Sequence, residues 1–253
     1  MKRALAALAL LPLAACGGGD TAPDESLASA CRPEIFEDSP LTHCMADPAI
    51  HTVRTALDGS DGKVLGSVGA LAMSMGGDAR RVAFAVNGGM YDDAGRPIGY
   101  FVKDGDRLQR LNRNSGPGNF HLLPNGVFFG TDGEWQVMTS EDFAETVEQR
   151  PGFATQSGPM LLIDGELHPD ISPDGASRKI RNAVGVDDAG RAHFVISEAP
   201  LSMGKLARFY RDVLNVENAL FLDGTVSQLW DPAKQRIDSG IPVGPLIVVE
   251  RKD

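Results

Sequence analysis

The chain has 253 residues, a hydrophobic fraction of 42% and a formal net charge of -10. Length and composition suit one large domain or two small ones, with enough apolar material for a sizeable core. With no basic stripe to neutralise phosphates, nucleic acid is excluded as a partner class, whereas a phosphate-bearing small substrate needs only one or two local arginines.

Met1-Lys2-Arg3 is basic, and residues 4–13 form an apolar run too short for a lasting membrane span. The run closes on Leu13-Ala14-Ala15-Cys16, followed by Gly17. Residues 1–15 thus resemble a bacterial lipoprotein signal whose removal leaves Cys16 as the lipid-bearing first residue. An ordinary secretory peptide with a chance cysteine is the alternative. Gly17 resembles outer-membrane sorting, so a membrane-anchored periplasmic protein is expected. Residues 16–30, rich in Gly, Ala, Ser, Asp and Pro, read as a flexible tether, leaving 31–253 as the domain. In an oxidising compartment the remaining pair, Cys31 and Cys44, reads as a disulfide contributing about 3 kcal/mol. No C-x-x-C pair or Cys/His cluster supports a metal site.

Alternation in I-H-T-V-R-T-A-L suggests a first strand from His51 to Thr55. Residues 67–75 read as a helix capped by Ser67 and stopped by Gly76-Gly77, with Met73 and Met75 as core filler. The apolar strand V-A-F-A-V ends at Val86 and gives way to Asn87-Gly88-Gly89-Met90-Tyr91. Two glycines there allow a sharp turn and close approach of a ligand, and Asn87 offers both donor and acceptor; a plain N-G turn is the alternative. Hairpin units follow, with turns at residues 92–95, 103–106 and 132–133. Thr139 and Asp142 are spaced as a capping box. Residues 154–159, A-T-Q-S-G-P, read as a polar loop leading into the strand M-L-L-I. Ser157 has no G-x-S-x-G context, so a serine triad is not expected.

Arg178, Lys179 and Arg181 form a small basic group before Asn182 and the strand 183–186; such a group is either solvated surface or a bidentate anion holder. A strand from His193 ends in Ser197-Glu198. Residues 202–215 form the clearest helix, with Leu206, Phe209, Tyr210, Val213 and Leu214 on one face. Residues 219–222, A-L-F-L, read as a buried strand that ends in Asp223-Gly224, with Thr225, Ser227 and Gln228 close behind. An acid there is costly to desolvate unless paired. It is either a hairpin-turn residue, for which Asp-Gly is the commonest signal, or a working carboxylate. Residues 244–249 close the chain as a buried strand. No H-E-x-x-H, Walker loop or G-x-G-x-x-G occurs, and no organic cofactor is called for; a divalent ion helping to hold a phosphate stays open.

Taken together and in order, N-G-G-M-Y, G-N-F, P-N-G-V-F, A-T-Q-S-G-P, R-N-A-V-G-V and A-L-F-L-D-G resemble the phosphodiester glycosidase family of N-acetylglucosamine-1-phosphodiester alpha-N-acetylglucosaminidases, in its bacterial periplasmic branch. The likeness spans roughly residues 50–249. It implies a mixed α/β fold, here a single domain with a largely hairpin-built sheet core and a few flanking helices. It also implies hydrolysis of a sugar-1-phosphodiester on the sugar side. Carried over, it puts Asn87 and Gly88 at a strand-end turn, Gln156 and Ser157 on a polar loop, Arg181 ahead of its strand and Asp223-Gly224 at a strand terminus. One departure is present: the family's aspartate, three glycines and serine become Asp223-Gly224-Thr225-Val226-Ser227, which narrows the room beside the carboxylate.

A phosphate monoester leaves far more easily than an alkoxide, so one carboxylate and an arginine clamp can suffice. Asp223 is then the nucleophile or base, and Arg181, with Arg178, neutralises the phosphate. Glu198, at another strand end, is the only candidate acid. Asn87, Gly88, Gln156, Ser157, Asn182, Gly224, Ser227 and Gln228 are candidates for binding the sugar hydroxyls or the phosphate. Two other classes fit the same chain: a non-catalytic envelope lipoprotein that binds glycans or phosphoglycans, and an accessory factor in exopolysaccharide export.

Overall fold

A computed structural model of the chain describes residues 28–252. The expected leader, Cys16 and the tether up to residue 27 lie outside the described residues. The chain begins with β1 (Cys31–Phe36), β2 (Ser39–Ala46), β3 (His51–Ala56), α1 (Val68–Met75) and β4 (Val82–Asn87). Then come β5 (Phe101–Lys103), β6 (Asp106–Gln109), β7 (Gly126–Thr131), β8 (Glu134–Thr139) and α2 (Ser140–Thr146). Next are β9 (Phe153–Ser157), β10 (Met160–Ile163), β11 (Glu166–Leu167), β12 (Asn182–Val186), β13 (Ala192–Ser197) and α3 (Met203–Asp212). It closes with β14 (Asn218–Asp223), β15 (Leu229–Asp231), β16 (Arg236–Ile237) and β17 (Leu246–Arg251).

The strands form three sheets, ordered β1-β2-β13-β12-β14-β10-β11, β16-β15-β4-β17-β3 and β6-β5-β9-β7-β8. The mixed α/β single domain implied by the resemblance is found, with three helices outside the sheets. Alternation along each strand sends one set of side chains inward. Phe84, Phe128 and Phe194, one from each sheet, meet in edge-to-face contacts at the centre of the shared core. Leu206, Phe209 and Tyr210 lay α3 on the outer face of the seven-stranded sheet. The buried Tyr210 hydroxyl donates to the Ala183 carbonyl at 2.6 Å, so its burial leaves no unpaired donor. Val68 and Leu71 hold α1 against the outer face of the second sheet.

Local signals were legible where the chemistry is local. Ser67, Thr139 and Ser202 each accept from the backbone N–H three residues on, as N-cap residues do. Cys31 and Cys44 face each other across the β1–β2 hairpin and form the expected disulfide.

Four expectations fail. Met73 is 80% exposed and fills no core, whereas Met75 is partly buried against the α1 cluster. Val213 is also exposed, because the helix has ended at Asp212. Residues 153–157 are a fully buried strand, not a loop; Thr, Gln and Ser are tolerated there because each side chain is hydrogen-bonded. The tether does not run to residue 30: the Ala28 carbonyl accepts from Arg251, Ser29 donates to the buried Asp231 and the Ala30 carbonyl accepts from Met45 N–H.

Candidate active site

β14 is apolar because both its faces are covered: Leu220 and Leu222 face the inter-sheet core, and Ala219 and Phe221 face α3. Strict alternation would put Asp223 on the Phe221 side. The pairing with β12 slips instead, from Ala183 opposite Phe221 to Asn182 opposite Asp223. This bulge inserts one extra residue and turns Asp223 toward the inner side, a recurrent device for aiming a side chain. Asp223-Gly224 is therefore no hairpin turn. The chain passes from β14 in the first sheet to β15 in the second.

The carboxylate meets Asn87, at the end of β4, whose Nδ2 donates to Asp223 Oδ2 at 3.2 Å and to the Val226 carbonyl at 2.7 Å. Asn87 Oδ1 accepts from Asn182 Nδ2 at 2.9 Å and from Gln228 N–H at 2.8 Å. Asp223 Oδ1 accepts from Thr225 N–H at 2.9 Å and Val226 N–H at 3.3 Å, an Asx-type turn that fixes the ring of atoms. Asp223 is 7% exposed. Burial pushes its pKa above the ordinary 3.8, and the backbone N–H groups of Thr225, Val226 and Gly224 partly offset the rise. The Asn182 Oδ1 and Ser227 Oγ atoms are buried with no protein partner among the described residues. They are the unspent acceptor and hydroxyl of this cluster.

Arg181 is 1% exposed and held from three sides. Its Nε donates to the Leu201 carbonyl, its Nη2 to the Ser177 carbonyl and hydroxyl, and its guanidinium lies 5.4 Å from the Phe221 ring centre. Nη1 makes no hydrogen bond among the described residues. Burial lowers the pKa of this guanidinium from its ordinary value. It reaches the Gly224 backbone so closely that a β-carbon on Gly224 would lie 2.9 Å from Nη1 and 2.5 Å from Phe221 Cζ. Arg181 also lines a cavity of about 250 Å³ with Asn119, Ser172 and Ser177. Its contacts are on the Phe221 side of the sheet, and no ion pair joins it to Asp223 among the described residues. The cation and the carboxylate thus flank Gly224 from opposite sides rather than touching.

The other sequence candidates divide. Asn87, Asn182 and Gly224 gather at Asp223, while Ser227 follows in the same loop with its hydroxyl buried. Gly88 is a packing glycine, since a β-carbon there would overlap Ile247. Gln156 is not brought to the site: its Oε1 accepts from Tyr100 and Asn112 N–H, and its Nε2 donates to the Asn112 carbonyl, Asn125 and Ser140. Ser157 donates to the Leu222 carbonyl and so supports the bulge from beneath. Gln228 caps α1 through Val68 N–H and ties down the Ile241 carbonyl. Arg178 is exposed, with no hydrogen bond among the described residues. Glu198 is engaged away from Asp223: its carboxylate accepts from Arg236 and Thr42, both at 2.6 Å. No group of three or more metal-ligating side chains occurs among the described residues.

Sequence reasoning passed over Tyr91 and Ser177. Tyr91 lies near enough to Asp223 for the carboxylate charge to add to burial in raising the phenol pKa. The signal lies in N-G-G-M-Y, where an aromatic residue follows the strand-end glycines.

A family model described as phosphodiester glycosidase matches residues 80–249. The uncharacterized protein YigE of Escherichia coli (strain K12) is 33% identical over 254 residues, covering 100% of this chain and 94% of its own. Among solved structures, the chain is similar to the zebrafish N-acetylglucosamine-1-phosphodiester alpha-N-acetylglucosaminidase catalytic domain auto-inhibited by its pro-peptide. That match has a TM-score of 0.59 at 17% identity, over 88% of this chain and 82% of that one. A hypothetical protein from Synechocystis gives a TM-score of 0.58 at 14% identity, over 88% of this chain and 61% of that one. Both structural likenesses speak to the fold. With the family model covering more than half of its residues, the chain belongs to the phosphodiester glycosidase family.

Proposed function

We propose that the protein hydrolyses a sugar-1-phosphodiester at the glycosidic C–O bond, releasing the sugar and a phosphate monoester. The observation that carries this reading is the pairing of a buried carboxylate with an open guanidinium N–H on either side of Gly224. Asp223 Oδ2 has one donor, Asn87, and keeps a lone pair for the anomeric carbon or for the water that attacks it. The buried, hydrogen-bonded Arg181 presents Nη1 toward a phosphoryl oxygen, and a fixed charge in a dry site stabilises the departing group strongly. Asn182 Nδ2 holds Asn87 Oδ1 and so fixes the amide that donates to Asp223. The single-carboxylate logic accommodates the engagement of Glu198 elsewhere, because a phosphate leaving group needs little protonation.

The same reading includes a periplasmic location, with Cys16 carrying lipid at the outer membrane. Phosphorus NMR of the purified protein with a panel of sugar-1-phosphodiesters tests the reaction: diester should convert to monoester, and Asp223→Asn should stop it. No conversion of any diester by the wild-type chain would return the protein to the glycan-binding or export-factor class. Cys16→Ser tests the anchor by moving the chain from the membrane to the soluble fraction.

A further inference from the structure

A second cavity lies at Tyr91, whose phenol is near enough to feel the Asp223 charge. It measures about 370 Å³ and is lined by Tyr91, Pro242 and Val243, with Asp92 and Asp93 among the remaining residues. Two links tie it to the Asp223 loop. Tyr91 and Val226 pack in the same apolar cluster, and Val226 N–H is one of the donors to Asp223. Gln228, at the end of that loop, holds the Ile241 carbonyl just before Pro242. Tyr91 itself is fixed: its ring lies against Gly244, where a β-carbon would come within 2.5 Å of Cγ, and its hydroxyl donates to the Pro242 carbonyl at 3.2 Å.

The chemistry of this cavity differs from that of the Arg181 cavity. Its wall is an aromatic ring with proline and valine, which suits the C–H faces of a sugar ring. Asp92 Oδ1 is spent on Ala94 and Arg96 N–H, but Asp92 Oδ2 and both Asp93 oxygens accept from no protein donor among the described residues. Carboxylate oxygens accept only, so they suit sugar hydroxyls and repel a phosphate.

We propose that the Tyr91 cavity is the glycosyl subsite and takes an uncharged hexose ring. This rests on the glycosidase reading above. The substrate then lies across Gly224 in one direction only, with its hexose on the Tyr91 side and its phosphate on the Arg181 side. Opposite charges at the two ends, Asp92 and Asp93 against Arg181, set that direction.

Ligand-observed NMR titration of the full-length chain in detergent, using methyl hexosides (glucoside, mannoside, galactoside) and glycerol phosphate as separate probes, tests it. At least one methyl hexoside should bind the wild type. Tyr91→Leu should weaken that hexoside tenfold or more and leave glycerol phosphate within twofold; Arg181→Gln should do the reverse. Ala94→Trp, which fills the cavity from an exposed position and leaves Tyr91 in place, should reproduce the hexoside loss if Tyr91→Leu fails to fold. Failure of every hexoside to bind, or hexoside affinity unchanged in Ala94→Trp, overturns the subsite. Turnover measured in parallel separates the two readings. The expected binding pattern without diester hydrolysis keeps the subsite and sinks the enzyme, whereas hydrolysis with hexoside binding indifferent to Ala94→Trp sinks the subsite alone.

Discussion

At the scale of single residues, the proposed reaction turns on a carboxylate that is buried and must be charged to act. Asp223→Asn should lower kcat by about a thousandfold or more, in line with loss of a nucleophile or base. The pH dependence has a defined sign. Folding raises this pKa, so the proton binds the folded chain more tightly, and the buried charge costs stability as pH rises through the shifted value. In the proposed reaction the deprotonated form acts, so the rate should fall on acidification with a midpoint above 3.8, a limb read from kcat/KM against pH. Gly224→Ala probes the neighbouring contact. Its methyl has no room between the Phe221 ring and Arg181 Nη1, so about 1–3 kcal/mol of stability should be lost, with a raised KM for the diester as the guanidinium is pushed aside.

At the scale of elements, the helices depend on their caps. Ser67→Ala leaves Ala70 N–H without its acceptor and should lower stability by about 1 kcal/mol in denaturant titration, leaving catalytic constants near wild type. The same locality explains what was readable from sequence. Ser67, Thr139 and Ser202 announce helix starts because donor and acceptor lie three residues apart. Asp223 and Arg181 could be named from their neighbours, but their relation could not. The bulge that re-aims Asp223 is a matter of pairing between β12 and β14, and Asn87 reaches the carboxylate across 136 positions of chain. Polar composition misled in β9, where Thr155, Gln156 and Ser157 look like a loop until their partners on other strands are known. Exposure misled at Met73 and Val213, since periodicity alone does not say where a helix stops meeting the core.

At the scale of the whole molecule, two features outside the site set stability. His43 and His193 are buried in contact at 2.9 Å, and His193 reaches Asp187, itself paired with Arg191; Arg32 adds a nearby positive charge. Burial, with His193 and Arg32 adding to it, lowers the His43 pKa from 6.5 to about 3, and burial lowers that of His193 as well. The unfolded chain therefore takes up these protons first. Stability should be full above about pH 6.5 and decline on acidification by about 1.4 kcal/mol per pH unit per proton until His43 itself protonates. Urea midpoints at pH 7.5 and 5 should show this slope, and His43→Gln should flatten it. Removing the Cys31–Cys44 disulfide by a double alanine substitution should cost about 3 kcal/mol without touching the Asp223 cluster. That cluster joins three sheets: β14 supplies the acid, β4 the amide that holds it, and β9 the serine beneath its bulge. No one sheet can carry half of this machinery, so a nicked or truncated chain should retain no fractional turnover, and catalysis becomes a sensitive gauge of whether all three layers have docked.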